Sequence, residues 1–267
     1  MKEISFYKYT GRGNDFILID DRNKSYPLSK QNISFLCDRN FGIGADGVVL
    51  LQVSKSCDFF MRIFNSDGSE ANSCGNALFC LCKFIQDRKL TNKKKINIEL
   101  KKSKIAAYLS IDYLILTFDQ PKLIASPISL SIGNKKLNFD WIDSGVDHAV
   151  TFLEKNNDID INEAGKNVRH HKRFDPKGVN ANFANLLKED VFFVRTFEKG
   201  VEKETLSCIT GAIATAFSGR RKFKIDRPIT IKNQQGDVII SFDDKKKIVN
   251  VKGGAVFIFA GKIQVTN

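Results

Sequence analysis

Two stretches of this chain repeat one another in kind and in order. Asn72-Ser73-Cys74-Gly75-Asn76-Ala77 follows the polar turn Asp67-Gly68-Ser69-Glu70 and leads into Leu78-Phe79-Cys80-Leu81-Cys82. Leu206-Ser207-Cys208-Ile209-Thr210-Gly211-Ala212 follows Glu202-Lys203-Glu204-Thr205 and leads into Ile213-Ala214-Thr215-Ala216-Phe217. Each apolar run suits a buried helix, and each places a thiol at the helix start. Cys74 and Cys208 lie 134 positions apart, half the chain, and the same offset carries Ile105 to Ile239 and Leu114 to Ile248 in strand-like segments further on. The chain reads as two copies of one unit.

A helix start has chemical consequences. Its first N–H groups lack intrahelical partners and carry partial positive charge, which favours a thiolate and can hold a carboxylate. One such thiol suggests a nucleophile. Two related by duplication suggest a pair acting on one atom from opposite sides.

The remaining composition narrows the class. The apolar fraction of 42% and charged fraction of 27% are those of an ordinary globular protein. No apolar run reaches the roughly 18 residues of a membrane span, and Met1-Lys2-Glu3-Ile4-Ser5-Phe6 reads as a strand without a signal-peptide core. The cytoplasm, with no membrane partner, is the expectation. The six cysteines lack the dense spacing of a secreted disulfide scaffold. Cys37, Cys57, Cys80 and Cys82 read as buried small hydrophobes, and His148, His170 and His171 are too few and wrongly spaced for zinc, so no metal is expected. A net charge of +12 raises nucleic-acid binding as an alternative. Its lysines fall in short runs between strand-like segments, where solvated turns are the simpler reading, so no nucleic-acid partner is expected.

In chain order, Ile4 to Tyr9 and Phe16 to Ile19 read as strands around the turn Thr10-Gly11-Arg12-Gly13-Asn14-Asp15. That turn holds a G-x-G, but no helix follows, which excludes a dinucleotide fingerprint. Ser29 to Arg39 reads as a helix capped by Ser29 or Asn32, and strands are expected at Val48 to Leu51 and Phe59 to Phe64. After the first Cys helix a run of strands extends to Phe118, and Pro121 breaks the pattern. The expected halves are therefore 1–119, carrying Cys74, and 120–267, carrying Cys208.

At these residues the chain resembles the diaminopimelate epimerases. The resemblance runs nearly end to end, through Gly13-Asn14-Asp15-Phe16, Cys37-Asp38-Arg39, Gly42-Ile43-Gly44-Ala45-Asp46-Gly47 and Phe64-Asn65-Ser66-Asp67-Gly68-Ser69. It continues through Cys74-Gly75-Asn76, Gly178-Val179-Asn180, Arg195-Thr196-Phe197-Glu198 and Glu204-Thr205-Leu206-Ser207-Cys208. It implies an α/β (α+β) fold of two pseudo-symmetric halves, each a mostly antiparallel sheet wrapped around a central helix, with the active site between them. It implies a cofactor-independent isomerase that inverts one α-carbon of LL-2,6-diaminopimelate to give the meso form, in lysine and peptidoglycan precursor synthesis. A homodimer and a small amino dicarboxylate substrate are implied with it.

The implied mechanism uses two bases. Cys74 and Cys208 exchange the α-proton, and His148 and Glu198 match positions that tune the thiols. Asn14, Asn65, Gly75, Asn76, Asn180, Glu198, Lys199, Ile209 and Thr210 match substrate-holding positions, with helix-start N–H groups receiving the α-carboxylate. If the two sulfurs face one carbon, oxidation to a disulfide is a liability.

Four departures accompany the resemblance. Ile209 stands for a glycine, Lys199 for an arginine, Asp147 for a proline beside His148, and Ala77-Leu78-Phe79 for Gly-Ala-Arg. They leave open a racemase of another amino acid, and a homologue without catalysis.

Overall fold

The computed structural model describes residues 1–27, 29–154 and 159–266, which form two compact units, Met1–Thr117 with Gly253–Asn267, and Phe118–Lys252.

The first unit is built on β1 (Lys2–Gly11), β2 (Asn14–Asp20), β3 (Gly47–Gln52), β4 (Phe59–Asn65), the short β5 (Glu70–Ala71), β6 (Lys95–Glu99), β7 (Lys104–Leu109) and β8 (Leu114–Asp119), with β18 (Val256–Val265) from the end of the chain. The strands run in the order β18-β1-β2-β3-β4-β6-β7-β8. All neighbours are antiparallel except β2–β3 and β4–β6, where a helical crossover intervenes, as parallel pairing requires. Helix α1 (Lys30–Cys37) makes the β2–β3 crossover, with the Ser29 side chain accepting from the Asn32 N–H as its cap. Helix α2 (Gly75–Asp87) makes the β4–β6 crossover, and every residue from Asn76 to Cys82 is buried, as expected of a helix that is apolar almost all round. Strand β3 is buried along its whole length, with Val48 and Leu50 in one cluster with Ile33, Leu36 and Cys37 of α1.

The second unit repeats this plan. Its strands are β9 (Lys122–Ile132), β10 (Lys135–Asp143), β11 (Asp147–Phe152), β12 (Asn180–Lys188), β13 (Val191–Glu198), the short β14 (Lys203–Thr205), β15 (Ile229–Asn233), β16 (Gly236–Asp243) and β17 (Ile248–Gly253), in the order β9-β10-β11-β12-β13-β15-β16-β17. Parallel pairing again falls at two places, β11–β12 and β13–β15. Helix α3 (Ile161–Arg169) crosses the first, and α4 (Ile209–Phe223), buried nearly throughout, crosses the second. Each unit is thus a mostly antiparallel sheet around one buried helix that begins directly after a cysteine.

Strand by strand, β18 of the first unit corresponds to β9 of the second. This corrects the expected boundary. The sequence reading gives 120–267 to the second half, but β18 pairs antiparallel with β1, from Lys2 opposite Val265 to Thr10 opposite Val256, and so returns Gly253–Asn267 to the first unit. Ile105 is buried while Ile239 is 40% exposed, so the pair related by the cysteine offset does not share a face. In a strand a slip of one residue is enough to reverse the face. Cys57, expected to be buried, is only partly so and lies in a turn beside Ser56.

No helix among the described residues is long and apolar enough to cross a membrane.

Candidate active site

In the first unit Cys74 is the N-cap of α2, with extended backbone (φ −150°, ψ 123°). Gly75 and Asn76 are the first two helical residues, so their N–H groups have no intrahelical acceptor. The sulfur is not a capping acceptor there. It donates to Asn14 Oδ1 at 3.8 Å. Asn14 sits at the start of β2, and its Nδ2 donates to Asp46 at 2.5 Å. Behind this lies a charged network: Arg39 donates to Asp15 at 2.8 Å and to Asp46 at 3.0 Å, and the buried Lys8 pairs with Asp15 at 2.7 Å. Burial opposes the Asp15 charge, but the Arg39 and Lys8 hydrogen bonds outweigh it and hold that carboxyl down to about 2. Asn65 is exposed, and its Nδ2 donates to Ser69 Oγ across the turn at 3.0 Å.

In the second unit Cys208 is the N-cap of α4, and here the sulfur does act as a cap, accepting from the Gly211 N–H at 3.4 Å. Thr210 Oγ1 is 3.4 Å from the same sulfur and 3.0 Å from His148 Nε2. His148, on β11, is wholly buried. Its other ring nitrogen is 2.8 Å from Asn182 Nδ2, and Asn182 Oδ1 accepts from Thr196 Oγ1 at 2.9 Å. With the Asn182 amide so oriented, Nδ1 of the imidazole accepts. Nε2 then carries the hydrogen and donates to Thr210, whose own hydroxyl hydrogen turns to Cys208. Burial pushes His148 down to about 3, against a smaller opposing pull from the Asn182 contact. The imidazole is therefore neutral at physiological pH and stands in a hydrogen-bonded relay from Asn182 to Thr210.

Glycine is required where this relay meets the helix. A Cβ at Gly211 would stand 2.5 Å from Asn182 Oδ1 and 3.3 Å from Thr196 Oγ1.

Three expected residues have their polar atoms engaged within their own unit. Asn180 Oδ1 accepts from the Lys199 N–H at 2.8 Å, and its Nδ2 donates to the Asp147 carbonyl at 3.2 Å. Asn76 Oδ1 accepts from Arg12 at 3.0 Å. Ile209 is buried as the first residue of α4, and Ser144 donates to the Thr210 carbonyl at 2.9 Å. Lys199 is exposed. Glu198, at the end of β13, is half-buried, and burial raises its carboxyl above the ordinary range, opposed by the Thr205 hydroxyl.

Asp147 does not put an acid against His148. Successive strand residues face opposite ways, and the Asp147 carboxylate accepts from the Trp141 indole at 3.1 Å. Arg195 is taken up by a bidentate pair with Glu204 at 2.6 and 2.7 Å.

Sequence reasoning missed Asn182, Thr196 and Arg12. Asn182 lies two residues after Asn180, on the same face of β12, and that alternation was the available signal.

Comparison with known proteins supplies the family. The diaminopimelate epimerase family profile matches residues 6–118 and 141–258. A diaminopimelate epimerase of Flavobacterium psychrophilum is 37% identical over 265 residues, covering 96% of this chain and 98% of that one. A diaminopimelate epimerase of Trichodesmium erythraeum is 36% identical over 276 residues, covering 97% and 99%. Among solved structures, a phenazine biosynthesis protein of the PhzF family from Enterococcus faecalis superposes with TM-score 0.76 at 14% identity, over 99% of this chain and 100% of that one. A hydroxyproline epimerase from Agrobacterium vitis with bound trans-4-hydroxy-L-proline gives TM-score 0.67 at 12% identity, over 98% and 92%. The solved structures show the fold. The sequence matches, which span both halves, go further: the chain belongs to the diaminopimelate epimerase family.

Proposed function

We propose that this protein inverts one α-carbon of LL-2,6-diaminopimelate to give the meso isomer, without a cofactor, in lysine and cell-wall precursor synthesis. The observation that carries this reading is the repeated corner. In both units a short strand ends three residues before a cysteine that stands at the N-cap position of the buried helix. Inversion requires proton removal on one face of a carbon and delivery on the other, and a single side chain serves both faces poorly. In the proposal one cysteine removes the α-proton as thiolate, the other delivers a proton as thiol, and the roles exchange in the reverse direction.

The local chemistry supports a division of labour. Cys74 donates to Asn14 in its thiol form, whereas the Gly211 N–H and Thr210 hydroxyl both converge on the Cys208 sulfur and favour its anion. First-turn N–H groups of α2 and α4 are suited to the α-carboxylate and to the charge that develops on it.

We further propose a cytoplasmic homodimer. The C-terminal strand supports the dimer, since Val256, Phe257, Ile258 and Phe259 are consecutive, apolar and exposed. Light scattering of the purified protein that gave a monomer mass at micromolar concentration would remove this element.

The chemical test is proton exchange in heavy water. LL-diaminopimelate should gain α-deuterium and meso product should accumulate, and Cys74→Ser or Cys208→Ser should each abolish net inversion. Exchange with proline or hydroxyproline but not diaminopimelate would move the substrate to another amino acid. No exchange with any amino acid would remove the isomerase reading.

A further inference from the structure

Arg12 lies in the tight turn between β1 and β2, a place where a long cation ordinarily reaches into water. Here it is folded inward and only 9% exposed. Its guanidinium lies over the Phe79 ring, with the central carbon 4.4 Å from the centroid. One terminal nitrogen donates to the Gly254 carbonyl at 3.1 Å and the other to Asn76 Oδ1 at 3.0 Å. Gly253 packs against the edge of this pair, where a Cβ would stand 2.9 Å from a terminal nitrogen of the guanidinium and 3.1 Å from the Phe79 ring. Nε is buried without an acceptor. Among the described residues no carboxylate forms an ion pair with it.

A buried cation held only by neutral acceptors is costly, and proteins normally supply an anion. The surroundings offer few. Asp15 and Asp46 are engaged by Lys8 and Arg39. Asp87 is engaged by Lys83 and accepts from Tyr9. On α2, Cys80 and Cys82 are wholly buried, and burial pushes both thiols up, Cys82 to about 12, so they stay neutral. Arg12 itself is lowered by burial to about 10 and so remains a cation at neutral pH. Cys74, at the N-cap of α2, is a nearby group whose anion a helix start favours. Arg12 grips Asn76, two residues into the helix that Cys74 caps.

We infer that Arg12 is a positioning residue that fixes the first turn of α2 through Asn76 and supplies the buried positive charge against which the Cys74 thiolate forms. Cys74 rests as a donor to Asn14. When it gives up that proton, α2 offers partial charge and Arg12 a full one. This deepens the two-thiol reading and rests on Cys74 cycling between thiol and thiolate.

The test reads the thiol directly, apart from turnover. Iodoacetamide alkylation of Cys74 and Cys208 is followed by peptide mass mapping from pH 5.5 to 9.5. In Arg12→Met the Cys74 profile should move up by about one pH unit, about tenfold slower at pH 7, while the Cys208 profile stays in place. Arg12→Lys should keep the wild-type Cys74 profile, because the charge remains, but lose thermal stability with the Asn76 fork. An unmoved Cys74 profile in folded Arg12→Met overturns the inference, as does a rise in KM alone, which would assign Arg12 to the substrate carboxylate. Should Arg12→Met fail to fold, the wild type decides. Native Cys74 should alkylate at pH 7 at least tenfold faster than the same cysteine in urea-unfolded chain, and equal rates overturn the inference. Because alkylation needs no amino acid, a protein inactive on diaminopimelate with a shifted profile would sink only the substrate reading.

Discussion

The hydroxyl of Thr210 stands 3.0 Å from His148 Nε2, and the same oxygen is 3.4 Å from the sulfur of Cys208. The imidazole thus reaches the thiol through an intermediate hydroxyl. Thr210→Val keeps the shape and removes the link. It should lower kcat by about 100-fold or more, within the range of general acid–base contributions, while Thr210→Ser should stay within about tenfold of wild type. Steady-state rates on diaminopimelate with matched melting curves decide this. Equal losses for Val and Ser would assign the effect to packing.

Because His148 is buried as the neutral base, it links pH to stability with a definite sign. Its unfolded value is near 6.5 and its folded value about 3. The folded state therefore binds fewer protons between these limits. Its contribution to stability is complete above about pH 6.5 and falls by about 1.4 kcal/mol per unit as the pH drops toward 3. Unfolding free energies from urea titrations at pH 7.5 and 4.5 should diverge more for wild type than for His148→Leu, by roughly 3 kcal/mol. Equal divergence would mean that this imidazole ionises freely in the fold.

Gly211 offers a test of the same relay from the helix side. Alanine is the better helix residue, by about 1 kcal/mol, yet its Cβ would meet Asn182 Oδ1 at 2.5 Å. Asn182 is held by both His148 and Thr196 and cannot withdraw without breaking a contact. Gly211→Ala should melt within a few degrees of wild type but lose about tenfold or more in kcat. Asn182→Ala combined with Gly211→Ala should cost no more than Asn182→Ala alone, since the clash and the lost contact act through one amide. Additive losses would show that Gly211 matters for another reason.

These residues mark what was legible in the sequence. The two helix-start cysteines were, because each sits at a change from polar turn to unbroken apolar run, and both central helices follow from that pattern alone. So were the strands that fold on their neighbours, and Ser29 as a cap. Helix α3 was passed over although Ile161, Ala164 and Val168 have helical spacing after the capping Asp160. The relay was not legible. Asn182 and Thr196 occupy ordinary alternating strand positions, and only the β12–β13 register sets them opposite each other. Arg12 was hidden for a different reason: a cation between two glycines reads as a solvated turn, and only packing against Phe79 turns it inward. The β1–β18 pairing joins the two ends of the chain, a contact that local pattern cannot express.

That last pairing carries its own test. If β18 is structurally part of the first unit, its inward residues belong to that core. Val265 is 1% exposed and packs with Ile4, Phe6 and Ile33, whereas Ile258 on the same strand is 50% exposed. Val265→Asp buries an unpaired carboxylate beside the N-terminal strand and should cost about 3 kcal/mol or more. Ile258→Asp should cost the fold of the single chain less than about 1 kcal/mol, since surface changes are usually small. Urea unfolding of both variants over a dilution series gives the comparison, so that a weakened dimer contact at the Val256–Phe259 patch, which depends on concentration, is separated from the cost to the fold. Hydrogen exchange should then show the loss of protection in Val265→Asp concentrated in β1 and β2, the strands that β18 completes, and not in β9 or β10. Equal costs at the two positions, or protection lost first in the second unit, would contradict the assignment of the C-terminal strand to the first.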